Sequence, residues 1–153
     1  MSTEKTTGGK LPEISRILVA TDFSPHAWKA LEWARFVADV FRAKLFLLHV
    51  IDIFSLAEVA PVTAGLDPLS LLREHAHKSM RELKTAVPDA EIVIREASPR
   101  PVIVDVALEL NCQMIIMGTH GRSGLAHLLL GSVAEYVVRN SKVPVLTVHT
   151  RDK

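Results

Sequence analysis

Four of the chain's seven glycines lie between Gly118 and Ser132, in the segment GTHGRSGLAHLLLGS. Glycine adopts positive φ and lets a ligand approach the backbone, and N–H groups leading into a helix start make a site for phosphate. Gly118 closes an apolar run, Gly121 follows after two residues, and Gly131-Ser132 stands where a helical pattern begins, so both halves of an anion site are present. No Gly-Lys-Ser/Thr follows, and the spacing is not Gly-x-Gly-x-x-Gly, which disfavours the P-loop and dinucleotide-binding classes. A purely structural alternative exists for the same residues. In it the glycines only turn the chain, and Ser132 with Glu135 forms a capping box. Capping accounts for Ser132 and Glu135 but not for Gly118 and Gly121.

Other residues with potential chemistry carry less. His75 and His77 are two apart on a helical pattern and point in different directions, so they read as surface histidines and not as a metal pair. Cys112 is the single cysteine, which rules out an internal disulfide and favours a buried thiol in a reducing compartment. Trp28 and Trp33 do not share one helical stripe, and at least one is expected to pack against the sheet or the connector.

The elements that must position these residues alternate along the chain. Short apolar runs read as strands at Arg16 to Ala20, Leu45 to Val50, Glu91 to Glu96, Met114 to Met117 and Val143 to His149. Helical patterns run from Pro25 to about Phe41, Pro68 to Ala86, Pro99 to Leu110 and Ser132 to about Asn140. Continuous apolar strands separated by helices predict a parallel sheet covered on both faces, a single doubly wound α/β domain. Ligands of such sheets bind outside the carboxyl ends of the strands, where strand order reverses. Two loops therefore matter: Thr21-Asp22-Phe23-Ser24 and the glycine segment. The Ile51 to Leu66 connector is long and apolar for a loop, which suits either a lid or partner surface or a short helix.

Composition bounds the function. The 153 residues are 48% hydrophobic and 23% charged, with a formal net charge of +1, which fits one globular domain. Lys and Arg are interspersed with Asp and Glu, so the electrostatic footprint of a nucleic-acid binder is missing. Residues 1–13 lack the apolar core of a signal peptide and are expected to be a flexible tail before a domain at 14–150. The apolar stretch from Leu45 to Leu66 is interrupted by His49, Asp52, Glu58 and Pro61, which argues against a membrane span.

The spacing Gly118-x2-Gly121-x9-Gly131-Ser132 resembles the nucleotide-binding signature of the universal stress protein family. The opening Ile17-Leu18-Val19-Ala20-Thr21-Asp22-Phe23-Ser24, the strand end Leu47-Leu48-His49-Val50-Ile51-Asp52 and the ending Val143-Pro-Val-Leu-Thr-Val148 are also similar to that family. The likeness runs from about Arg16 to Thr150. It implies a Rossmann-like fold of the adenine nucleotide alpha hydrolase type, with a five-stranded sheet in the order 3-2-1-4-5. It further implies ATP as ligand, with ADP or AMP as alternatives, accompanied by Mg2+ or Mn2+. Carried over by position, the triphosphate lies on the loop at Gly118, Gly121, Arg122, Gly131, Ser132 and Val133, with His120 and Met117 beside it. Asp22 meets the ribose and Val50 the adenine, with backbone help from Ala20 and Thr21.

Local chemistry agrees with the role of Asp22. Ser24-Pro25 already supplies a helix cap and first position, which leaves the carboxylate for ribose hydroxyls, the alternative being a turn former. One departure stands out: family members often have a glycine before the proline matching Pro99, and this chain has Ala97-Ser98.

The resemblance also places the last strand at a sheet edge, and exposed edges invite a second copy. A homodimer through Val143, Val145, Leu146 and Val148 is expected, with Pro144 limiting hydrogen bonds near the strand's start. The leading expectation is a cytoplasmic, ATP-binding stress-response switch with at most slow hydrolysis. The alternatives are an ATP-cleaving enzyme, for which Asp52 or Glu58 would have to act, and a nucleotide-independent dimeric interaction module.

Overall fold

The computed structural model describes residues 12–56, 65, 67–120 and 130–150. Strands β1 (Arg16–Ala20), β2 (Lys44–Asp52), β3 (Glu91–Ala97), β4 (Met114–Gly118) and β5 (Val145–Val148) form one sheet, all neighbours parallel, in the order β3-β2-β1-β4-β5. Helices α1 (Pro25–Phe41), α2 (Pro68–Ala86), α3 (Pro99–Glu109) and α4 (Ser132–Asn140) connect them.

Strand alternation divides the core into two layers. Ile17, Val19, Leu45, Leu47 and Ile116 face α1 and α2, where Leu31, Ala34, Met80 and Leu83 meet them. Leu18, Phe46, Leu48, Ile115 and Met117 face α3 and α4, where Ile103, Val106, Ala134 and Val137 close the second layer.

Each helix start has a physical cause. In α1 the Ser24 hydroxyl accepts the Ala27 N–H at 3.2 Å and Pro25 takes the first position, as expected from Ser-Pro. In α2 the Asp67 carboxylate accepts from the N–H groups of Leu69 and Ser70, again ahead of a proline. That helix is tied to β3 by a two-pronged ion pair, Arg73 Nε to Glu96 Oε1 at 2.6 Å and Nη2 to Oε2 at 2.9 Å, which holds the Glu96 carboxyl below its ordinary range.

Several expectations need correction. Trp28 and Trp33 are 42% and 48% exposed and stand outside the two core layers, because Ala27, Ala30, Ala34 and Ala38 occupy the buried stripe of α1; packing on the connector lies mostly outside the described residues. β2 extends to Asp52, so the connector starts later than expected, with a 3-10 turn at Ile53–Ser55 capped by Asp52. β5 begins at Val145, not Val143. Pro144 cannot donate to the ladder and instead accepts the Ile115 N–H at 2.9 Å. The rest of the connector, 57–64 and 66, falls outside the described residues, and Glu58 with it. The single thiol, Cys112, is buried in the second core layer, and burial pushes its pKa up to about 11.

Candidate functional site

A parallel sheet brings every strand's carboxyl end to one side, and β1 lies between β2 and β4, where the chain's direction of travel across the sheet reverses. A cleft opens there, enclosing about 740 Å3 including solvent at its mouth. Its walls contain Ala20, Thr21, Asp22, Val50, Met117, Gly118, His120, Gly131, Ser132 and Val133. Every one of these was singled out from the sequence. Gly121 and Arg122, singled out with them, lie outside the described residues. The cleft also takes in residues that sequence reasoning missed, among them Leu48, Pro99, Ile103 and Thr119. Helical periodicity marks Ile103 as buried, but nothing local to α3 shows which cavity it faces.

The cleft has an apolar end and a polar end. Ala20, Leu48, Val50, Ile103 and Met117 are all at least nine-tenths buried and offer a wall suited to a flat, weakly polar ring. Next to Ala20, the Thr21–Ser24 loop is knitted to itself. Thr21 Oγ1 accepts the Phe23 N–H at 3.1 Å and Asp22 Oδ1 accepts the Ser24 N–H at 3.0 Å. The Thr21 N–H donates to the Leu48 carbonyl, and the His49 ring nitrogen Nδ1 lies 2.9 Å from the Thr21 carbonyl. These bonds hold Phe23 at φ 66, a conformation that a bulky residue seldom adopts. They also correct one expectation: Asp22 does serve as a turn former.

The start of α4 also lines the cleft. Gly131, in extended conformation at φ −69 and ψ 160, is the cap residue, and among the described residues no side chain caps the helix. Ser132 is therefore the first helical residue and not the cap, and the capping box does not form. Glu135 instead pairs with Arg139 at 2.8 Å. The Gly131 N–H donates to the Thr119 carbonyl at 2.7 Å and the Glu135 N–H to the Gly131 carbonyl at 2.9 Å. By position, the N–H groups of Ser132, Val133 and Ala134 have no acceptor within the helix, and these three residues line the cleft. Backbone donors at the positive end of a helix suit an anion.

Histidines gather at the rim. Thr119 Oγ1 lies 3.0 Å from His120 Nδ1 and 3.1 Å from His149 Nδ1, and the His120 ring stands 5.6 Å from both the His26 and His149 rings. Among the described residues no group of His, Cys, Asp or Glu is placed to hold a metal ion.

A sequence model of the Universal stress protein family matches residues 13–149. Universal stress protein MJ0577 of Methanocaldococcus jannaschii is 32% identical, with 90% of this chain and 96% of that protein covered. Universal stress protein MJ0531 of the same organism is 31% identical, with coverage of 87% and 81%. The solved structure of MJ0577 superposes with a TM-score of 0.81 over 93% of this chain and all of that one. A universal stress protein solved in complex with cAMP, 25% identical, superposes with a TM-score of 0.64 over 92% of this chain and all of that one.

Proposed function

The chain belongs to the universal stress protein family, and from that premise we propose that it binds ATP in the cleft and acts as a nucleotide-dependent switch in a stress response. The observation that carries this reading is the joining, in one cleft, of an apolar wall, the Asp22 carboxylate and the uncapped first turn of α4. Adenine lies against Val50, with the backbone of Ala20 and Thr21 beside it. Asp22 accepts from the ribose hydroxyls. The phosphates rest on Gly118, Gly131, Ser132 and Val133, with Met117 and His120 alongside, and Gly121 and Arg122 complete the cradle. Mg2+ or Mn2+ enters with the phosphates. A relative held with cAMP supports a cyclic or linear adenine nucleotide as the ligand class.

Binding is favoured over efficient hydrolysis by the state of Asp52, one of the two carboxylates that an enzymatic reading would call on, the other, Glu58, lying outside the described residues. Its Oδ1 accepts the Phe54 N–H at 3.0 Å and its Oδ2 the Ser55 hydroxyl at 2.9 Å. A carboxylate engaged in capping a turn is a poor general base. The proposed unit is the domain at 14–150, with 1–13 as a tail, working in the cytoplasm as a homodimer.

The test is a calorimetric titration of nucleotide-stripped protein with Mg-ATP, comparing wild type and Ser132→Pro. Proline is tolerated at the first helical position, and Gly131 already has the extended backbone that proline requires of its predecessor. The substitution removes one N–H and one hydroxyl from the phosphate end without breaking the helix. Saturable binding that weakens by about tenfold, the worth of a lost charge-assisted hydrogen bond, with unchanged circular dichroism, is expected. Absence of binding by wild type would refute the reading, and equal affinity in the two proteins would move the phosphates off α4.

A further inference from the structure

A second groove, with Asp52, Ser98 and Arg100 in its walls, shares Pro99, Ser132 and Val133 with the nucleotide cleft. The two cavities therefore meet at the first turn of α4. A phosphate chain seated on that turn has the second groove beside it.

Arg100 is the cation waiting there. It is the second residue of α3, exposed, and held between Pro99 and Pro101, whose rings fix the backbone from which its side chain springs. Among the described residues no carboxylate pairs with it. A positive side chain at a helix start also opposes the helix dipole. Among the described residues no ion pair offsets that placement, which fits a residue kept for a ligand. The one carboxylate in the groove, Asp52, has both oxygens bonded within its own turn. A guanidinium takes phosphate oxygens in two-pronged fashion, which an ammonium cannot do.

We infer that Arg100 binds the terminal phosphate of a nucleoside triphosphate and so sets a preference for ATP over AMP. This rests on the ATP reading above and adds a residue that determines how many phosphates the site favours.

The experiment titrates nucleotide-stripped wild type and Arg100→Ala with ATP, ADP and AMP in the same buffer. Arg100→Ala should lower ATP affinity by about tenfold and leave AMP within about twofold, so that the ATP-to-AMP preference of wild type collapses. Equal weakening of ATP and AMP, or unchanged ATP affinity, would overturn the assignment of Arg100 while leaving the nucleotide site in place. Failure of wild type to bind any of the three would overturn the site and this assignment together.

Discussion

A methyl group at Gly118 would lie 3.0 Å from the His26 carbonyl carbon and 3.2 Å from its oxygen. The φ of Gly118 is not in the left-handed region, so this glycine answers to close packing of β4 against the start of α1 and not to backbone freedom. Backbone atoms cannot rotate aside as a side-chain tip can. Gly118→Ala is therefore expected to cost about 1–3 kcal/mol as overpacking, lowering the melting temperature by roughly 2–4 °C per kcal/mol for a chain of this size. A melting curve superimposable on wild type would show that the contact relaxes without cost. The residue types at the site were legible because glycine, aspartate and proline punctuate a chain visibly. Their local duties were less so, since Ser132 and Asp22 could each be a cap, a turn former or a ligand contact until the backbone angles of their neighbours were known.

At the scale of elements, two helices end on a left-handed residue other than glycine: Arg42 at φ 54 after α1 and Asn111 at φ 51 after α3. Asparagine tolerates this conformation and arginine does so poorly. Arg42→Gly should thus stabilise the fold by about 0.5–1 kcal/mol, raising the melting temperature by roughly 1–4 °C, while Asn111→Gly should change it less. A lower melting temperature for Arg42→Gly would mean that the Arg42 side chain contributes more than its backbone costs. All five strands and four helices were expected in place, because apolar periodicity encodes which residues must be buried. The ends moved for reasons that periodicity does not carry. β2 continued to Asp52 because β3 was there to pair with it, as far as Asp52 opposite Ala97, and β5 shortened because Pro144 has no N–H.

For the whole molecule, β5 is paired on one side only, with β4, and stands at the sheet's edge. Val148 points into the core at 6% exposure, whereas Val145 and Leu146 are half-buried. An edge strand with apolar residues left partly exposed favours a second copy. A homodimer through Val145, Leu146 and Val148, with Val143 at the strand's approach, is expected in sedimentation at micromolar concentration. A single monomeric species across that range would remove the edge as an interface.

By itself the sequence determined the alternation of strands and helices and the two-faced burial of the sheet, because each is written in the spacing of residues close together in the chain. The tertiary structure alone decided which distant residues share a cleft. Asp22, Val50, Pro99 and Ser132 meet there because parallel strands send their carboxyl ends to one side. The contact of Gly118 with His26 and the position of Arg100 beside the start of α4 depend on distances between elements, which no local pattern encodes.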